Sequence, residues 1–156
     1  MRKRETVARA LQANPIDTGD PLGCLTAFGG LELAGLVGAM LAAAVHRRVI
    51  LLDGYAVGVA ALCACRMEPA VRDYMIAGHR SAEPAHAHVL RELGLEPLLD
   101  LRLRLGEASG AALAAPLVGL IAQLHNEMGR FDTTGVSPRG PDVSRSHQHD
   151  RASHGI

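Results

Sequence analysis

A single carboxylate, Glu107, stands among very small residues in the run Leu105–Ala112. Gly106 and Gly110 have no Cβ, so the backbone there can turn sharply or approach a ligand closely. The apolar segment that follows predicts a helix, and a carboxylate before it would point into the cavity that the glycines open. In a partly dry pocket the pKa of a glutamate rises toward the working pH, which suits a general base. The alternative is a solvated glutamate favoured by the helix dipole, and this stretch alone favours that alternative.

A second carboxylate follows a predicted strand. The run Arg48–Gly54 is almost continuously apolar, which predicts a strand buried on both faces in a parallel sheet. It ends on Asp53 and Gly54, and the carboxyl ends of such strands carry ligand sites. Asp53 is therefore predicted either to meet a ligand or to cap the next helix, and the cap is favoured.

A third polar group follows the next predicted strand, Asp73–Gly78. Ser81, followed by Glu83 and Pro84, indicates a helix N-terminus whose free N–H groups can hold an anion. Arg80 or His79 would add positive charge. The alternative is a plain helix cap beside a surface arginine.

The elements that must position these residues are mostly helices. Helices are predicted over 3–13, from Asp20 and Pro21 to Gly29, over 31–46, 56–66, from Ser81 to Leu93 with Gly94 as its cap, and over 110–128. The glycines and alanines of 31–46 predict close helix packing, either within the chain or against a partner. A short strand or an extended link is expected over 97–105, and Pro116 is expected to kink the last helix or begin its regular part. The fold class is α/β: a helix-rich, Rossmann-like layered domain with a parallel sheet and helices on both faces.

Composition narrows the functional classes. The chain has 156 residues, a formal net charge of zero and three cysteines. That balance argues against nucleic acid or a membrane surface as a partner. No signal peptide or membrane span is recognised and the cysteine count is odd, so we expect reduced thiols and a cytoplasmic location. Cys63 and Cys65 lack zinc-site spacing and are expected to be buried, and no metal site is predicted.

The sequence beyond about residue 137 is polar, and a disordered tail is expected over 137–156. His147, His149 and His154 lie in this tail and could bind a metal adventitiously, although a flexible tail is the preferred interpretation.

Several short blocks together carry a family resemblance. They are Asp20–Leu22, Ala27–Glu32, Leu51–Tyr55, His79–Pro84, Leu103–Gly110 and Leu124–Met128, in this order. They resemble the C-terminal half of the nicotinate-nucleotide–dimethylbenzimidazole phosphoribosyltransferases, and the resemblance covers about residues 3–136. It implies a phosphoribosyltransferase-like domain over 1–136 that transfers phosphoribose from nicotinate mononucleotide to 5,6-dimethylbenzimidazole without a cofactor.

The resemblance also implies roles for individual residues. Glu107 matches the catalytic base of the family's Leu-Gly-Glu block. Asp53, Gly54, Arg80 and Ser81 would face the nucleotide, and Ser81 with nearby backbone N–H groups suits its 5′-phosphate. Leu105 would line the benzimidazole pocket, and Gly106 would also bind substrate.

The family's enzymes are about twice as long, so the chain is expected to be a partial fold that lacks their N-terminal half. We therefore expect a homodimer or a separate N-terminal half as partner. The alternative function is an inactive remnant, or an accessory domain for nucleotide binding or assembly.

Overall fold

The computed structural model of the protein describes residues 2–129. The elements in this part of the chain are α1 (Arg2–Ala13), α2 (Pro21–Phe28), α3 (Leu31–Val45), β1 (Ile50–Leu52), α4 (Tyr55–Met67), a 3-10 helix (Pro69–Tyr74), β2 (Met75–Ala77), α5 (His86–Leu93) and α6 (Ser109–Glu127). The chain divides into two compact units, Met1–Leu120 and Ile121–Ile156. The core and the candidate site described below lie in the first unit. The predicted tail over 137–156, with its three histidines, lies outside the described residues.

Local capping chemistry sets several helix ends. The Asp20 carboxylate caps α2 by accepting a hydrogen bond of 3.0 Å from the Gly23 N–H, with Pro21 at the first helical position. Gly94 ends α5 in the left-handed conformation, at φ 63°. The predicted helix start at Asp20 and the predicted cap at Gly94 are therefore confirmed.

The sheet of the described region is small and parallel. β1 pairs with β2 in the register Ile50↔Met75 and Leu52↔Ala77. The predicted extended link over 97–105 runs beside the end of β2, where the Leu98 N–H donates to the Ala77 carbonyl oxygen at 2.9 Å. The predicted α/β class, with abundant helix and a parallel sheet, is confirmed. Both strands are shorter than predicted, and β2 is short because Asp73 and Tyr74 belong to the 3-10 helix.

Helix α4 is the centre of the core. It contacts α2, α3, α5, the 3-10 helix and β1. Its inward residues are small, with Ala60, Ala61 and Ala64 completely buried. Small side chains let neighbouring helices approach α4 closely, and the larger core residues come from the surrounding elements. These include Val37, Met40, Leu52, Val71, Met75, Val89 and Leu93.

The small residues of α3 do not pack as predicted. Gly35 and Gly38 are exposed, and a Cβ on either would meet open space. At the ends of the same helix Leu31 is 92% and Val45 79% exposed. The prediction that the α3 glycines pack within the described chain is therefore wrong, because α3 uses Val37 and Met40 to contact the core. Packing of this face against a partner stays a prediction.

The three cysteines are free thiols, as predicted, although all are only partly buried. Burial raises the pKa of the Cys63 and Cys65 thiols. No helix within residues 2–129 is both long and apolar enough to cross a lipid bilayer.

Candidate active site

A cavity of about 430 Å³ opens where the two strands end. Parallel strands in register bring their carboxyl ends to one edge of the sheet, so the residues after β1 and after β2 meet there. The turn that precedes α6 completes the wall. The lining residues are Asp53–Val57 after β1, His79, Ser81 and Glu83 after β2, and Arg104, Gly106, Glu107 and Ala108 before α6.

Glu107 lies on a tight turn two residues before α6 begins. Gly106, Glu107 and Ala108 have φ values of 81°, 55° and 57°, all in the left-handed region. Non-glycine residues rarely adopt this conformation, and each costs about 1–3 kcal/mol unless the surroundings impose it. As predicted, Glu107 stands just before a helix and lines a cavity with Gly106. The carboxylate is exposed, so the predicted partly dry pocket is absent from the described residues.

Asp53 caps a helix, although not the one that follows it. Its Oδ1 accepts a hydrogen bond of 2.9 Å from the Ala111 N–H, in the first turn of α6. The next helix, α4, begins at Tyr55, and its N-cap residue Gly54 provides no side-chain cap. A carboxylate at a helix N-terminus is stabilised by the free N–H groups and the helix dipole. The predicted cap of α4 is therefore wrong, because the fold brings Asp53 to a helix that begins much further along the chain, at Ser109.

His79 lies beside Asp53 in the interior. It is 3% exposed, and its Nδ1 is 3.6 Å from Asp53 Oδ1. Its ring fills the space that a Cβ on Gly110 would need. From the sequence, His79 is predicted only as a possible additional positive charge near Ser81. Its position two residues after β2, opposite the end of β1, is the signal that marks it as part of the site.

Ser81 does not begin a helix. Its hydroxyl accepts a hydrogen bond of 3.2 Å from the Glu83 N–H, and α5 starts only at His86. The Ser81 N–H donates to His86 Nδ1 at 2.9 Å, so this amide is occupied. The predicted helix N-terminus at Ser81 is therefore wrong, because the segment 81–85 forms turns that the buried imidazole of His86 holds in place.

His86 itself is 1% exposed, and its ring meets the His79 ring edge to face at 6.3 Å between centroids. Burial lowers the pKa of His86, and the neighbouring His79 lowers it further.

The structure brings together five of the seven residues predicted for substrate binding and catalysis. Asp53, Gly54, Ser81, Gly106 and Glu107 all line the cavity.

The two others stand apart from this wall. Arg80 is exposed and pairs with Asp100 at 3.5 Å. With Ser81 and Arg102 it lines a second, polar cavity of about 300 Å³. Leu105 is 77% exposed and does not line the first cavity, because the extended chain before the turn directs Arg104 to the cavity instead. Arg104 is a lining residue that the sequence analysis missed.

Metal ligation has no support in this region. Among residues 2–129 no group of three or more histidine, cysteine, aspartate or glutamate side chains is arranged to hold a metal ion.

Comparison with known proteins connects this geometry to one family. A family model described as phosphoribosyltransferase matches residues 1–136. The nicotinate-nucleotide–dimethylbenzimidazole phosphoribosyltransferase of Pseudomonas syringae pv. tomato is 50% identical over 139 residues, which are 89% of this chain and 40% of that protein. The enzyme of the same name from Desulforudis audaxviator is 51% identical over 136 residues, 87% of this chain and 38% of that protein.

The comparison with solved structures points to the same family of enzymes. A crystal structure of the enzyme of this name from Thermus thermophilus has a TM-score of 0.80 and 45% identity, and the match covers 88% of this chain and 41% of that one. This chain thus spans about two fifths of the length of the curated relatives it matches. Because the family model matches residues 1–136, the chain belongs to the phosphoribosyltransferase family.

Proposed function

We propose that this chain carries the base of a phosphoribosyl transfer in the cytoplasm, from nicotinate mononucleotide to 5,6-dimethylbenzimidazole. The products are α-ribazole 5′-phosphate and nicotinate, and the reaction serves cobalamin lower-ligand synthesis. One observation carries the proposal: in a chain of this family, Glu107 stands on a left-handed turn beside a cavity at the strand ends.

In the proposed reaction Glu107 takes the N–H proton of the imidazole ring while the other ring nitrogen attacks the anomeric carbon of the ribose. The bond from that carbon to the nicotinate nitrogen breaks, and its electron pair leaves with nicotinate. Attack from the face opposite nicotinate inverts the anomeric carbon and gives the α-linkage. A positioned general base contributes about 10²–10⁴-fold to such a step.

The other cavity residues are proposed to hold the substrates. Asp53 and Gly54 would face the ribosyl group and Gly106 the benzimidazole ring, which Leu105 would contact from outside the cavity wall. Ser81 lines both cavities, and Arg80 lines the polar one, where its guanidinium would attract the 5′-phosphate. Arg80 would have to exchange its exposed pairing with Asp100 for the phosphate, and exposed ion pairs are worth only about 0–1 kcal/mol.

The alternative function is an inactive remnant, or an accessory domain that binds a nucleotide or takes part in assembly. One observation favours it: the Glu107 side chain is exposed. A homodimer or a separate N-terminal half would supply further walls for the site. The exposed face of α3 offers apolar surface for such a partner.

Product formation separates the two functions. The purified chain is incubated with nicotinate mononucleotide and dimethylbenzimidazole, and α-ribazole 5′-phosphate is measured by chromatography. Turnover supports the enzyme. A folded chain that binds nicotinate mononucleotide by calorimetry without turnover supports the accessory domain, and a folded chain that binds neither substrate supports the remnant.

A further inference from the structure

The Nδ1 atom of His79 is the unusual feature of the site. It is buried and has no hydrogen-bond partner in the described structure. Buried polar atoms in proteins nearly always have a partner, and an exception calls for a functional or structural reason. The ring is held among Asp53, Gly110 and His86, so Nδ1 cannot turn toward solvent without displacing one of them.

The proton on this ring can be assigned from its surroundings. Nδ1 faces Asp53 Oδ1 at 3.6 Å, slightly beyond hydrogen-bond distance. A bare Nδ1 would set its lone pair against a carboxylate oxygen, and the two would repel. Nδ1 therefore carries a proton, both in the neutral ring and in the charged ring. The neighbouring His86 has the opposite arrangement. Its Nδ1 accepts a hydrogen bond from the Ser81 N–H and therefore carries no proton in the native state.

Two contacts connect His79 to the start of α6. Asp53 Oδ1, which the imidazole N–H faces, is the same oxygen that accepts from the Ala111 N–H. The ring also lies directly against Gly110, where a Cβ would overlap Nδ1, Cγ and Cε1. The first turn of α6 is thus fixed by a carboxylate and by a ring that faces the same carboxylate.

The turn that bears Glu107 depends on this anchor. Glu107 lies three residues before Gly110, and its turn is closed by a hydrogen bond of 3.1 Å that the Ser109 N–H, at the start of α6, donates to the Gly106 carbonyl oxygen. The left-handed conformations of residues 106–108 are intrinsically unfavourable, and this hydrogen bond links them to the start of α6.

We propose that His79 is a positioning residue for Glu107, acting through Asp53 and through the first turn of α6. Its catalytic consequence rests on the proposed function, whereas its structural part does not. A displacement of about 1 Å at a reacting group can lower a rate about 10²-fold, so a residue remote from the substrate can control the base.

The first test uses the unaltered chain. Long-range ¹H–¹⁵N NMR spectra of the ¹⁵N-labelled protein report which ring nitrogen of each histidine carries the proton. We expect a protonated Nδ1 on His79 and, as internal control, a bare Nδ1 on His86. A bare Nδ1 on His79 overturns the proposal, and this result needs neither a variant nor activity.

The second test compares H79N with H79Q. The asparagine amide nitrogen takes the place of Nδ1 and keeps an N–H toward Asp53, whereas the glutamine amide extends toward the place of Nε2. Amide hydrogen exchange at Ala111 is measured, with Ala61 in the core of α4 as the control for folding. We expect exchange at Ala111 to accelerate about 10–100-fold in H79Q, and much less in H79N. If exchange at Ala111 in both variants is as slow as in the wild type, the proposal is overturned. It is also overturned if exchange accelerates by the same factor in H79Q and H79N.

The third measurement separates this proposal from the proposed function. If the wild-type chain turns over, H79Q should lower kcat about 10²-fold, leave KM for nicotinate mononucleotide nearly unchanged, and be partly rescued in H79N. An unchanged kcat in H79Q overturns the positioning role. If the wild-type chain has no turnover, the proposed function fails, and the NMR and exchange results still decide whether His79 holds α6.

Discussion

Replacing Gly110 with alanine is expected to displace the first turn of α6. The new Cβ would overlap three atoms of the buried His79 ring, which is held between Asp53 and His86. The helix must shift instead, and the 2.9 Å hydrogen bond from Ala111 to Asp53 is lost. Overpacking costs about 1–3 kcal/mol and a hydrogen bond to a charged group about 1.5–3 kcal/mol. The expected loss is therefore about 2.5–6 kcal/mol in the free energy of unfolding.

The assay is urea unfolding followed by circular dichroism, with G119A as matched control. Gly119 lies in the same helix, and a Cβ there would meet open space. The control should gain about 0.5–1 kcal/mol, because alanine favours the helix over glycine. In an H79A background the cost of G110A should fall below about 1 kcal/mol, since the overlapped atoms are gone. If G110A changes the free energy of unfolding no more unfavourably than G119A does, the packing of α6 on His79 is refuted. The same conclusion follows if the destabilisation by G110A is unchanged in the H79A background.

Two further predictions concern α5. The folded chain depresses the pKa of His86, whereas the unfolded chain titrates this group near about 6.5. Below that pH the unfolded state takes up a proton that the folded state does not, so the free energy of unfolding should fall as the pH drops from about 6.5 through the folded pKa. Urea unfolding at pH 7.5 and 5.5 should show a smaller difference in H86N than in the wild type, and an equal difference would disprove this linkage. In a thermal melt G94A should be destabilised by about 1–2 kcal/mol, because Gly94 has φ 63° and a Cβ there would lie 3.0 Å from Arg72 Nη2. A melting temperature equal to that of the wild type would contradict that prediction.

The sequence was most informative where structure is decided locally. The Asp20 cap, the Gly94 end of α5 and the glycine-flanked turn at Glu107 all depend on residues within a few positions. Strand boundaries were less accurate, because the Glu68 side chain caps a 3-10 helix that takes the residues before β2.

The functional consequences of long-range contacts were not visible in the sequence. Nothing local shows that Asp53 caps α6, or that the Gly110 position exists to accommodate the His79 ring. Ser81 resembled a helix start, yet its amide is held by His86, five residues on. The α3 glycines have the spacing of a closely packed helix, but the spacing of residues along a helix does not show which other part of the fold packs against it.

The claim that Glu107 is the base is tested most directly by the kcat of E107Q, measured as α-ribazole 5′-phosphate formed from nicotinate mononucleotide and dimethylbenzimidazole. Glutamine keeps the size of the side chain and removes its basicity, and E96Q serves as control because Glu96 is exposed and lines neither cavity. We expect kcat to fall about 10²–10⁴-fold in E107Q and to stay within about twofold in E96Q. If the wild type turns over and E107Q has the same kcat, the assignment of Glu107 as the base is contradicted.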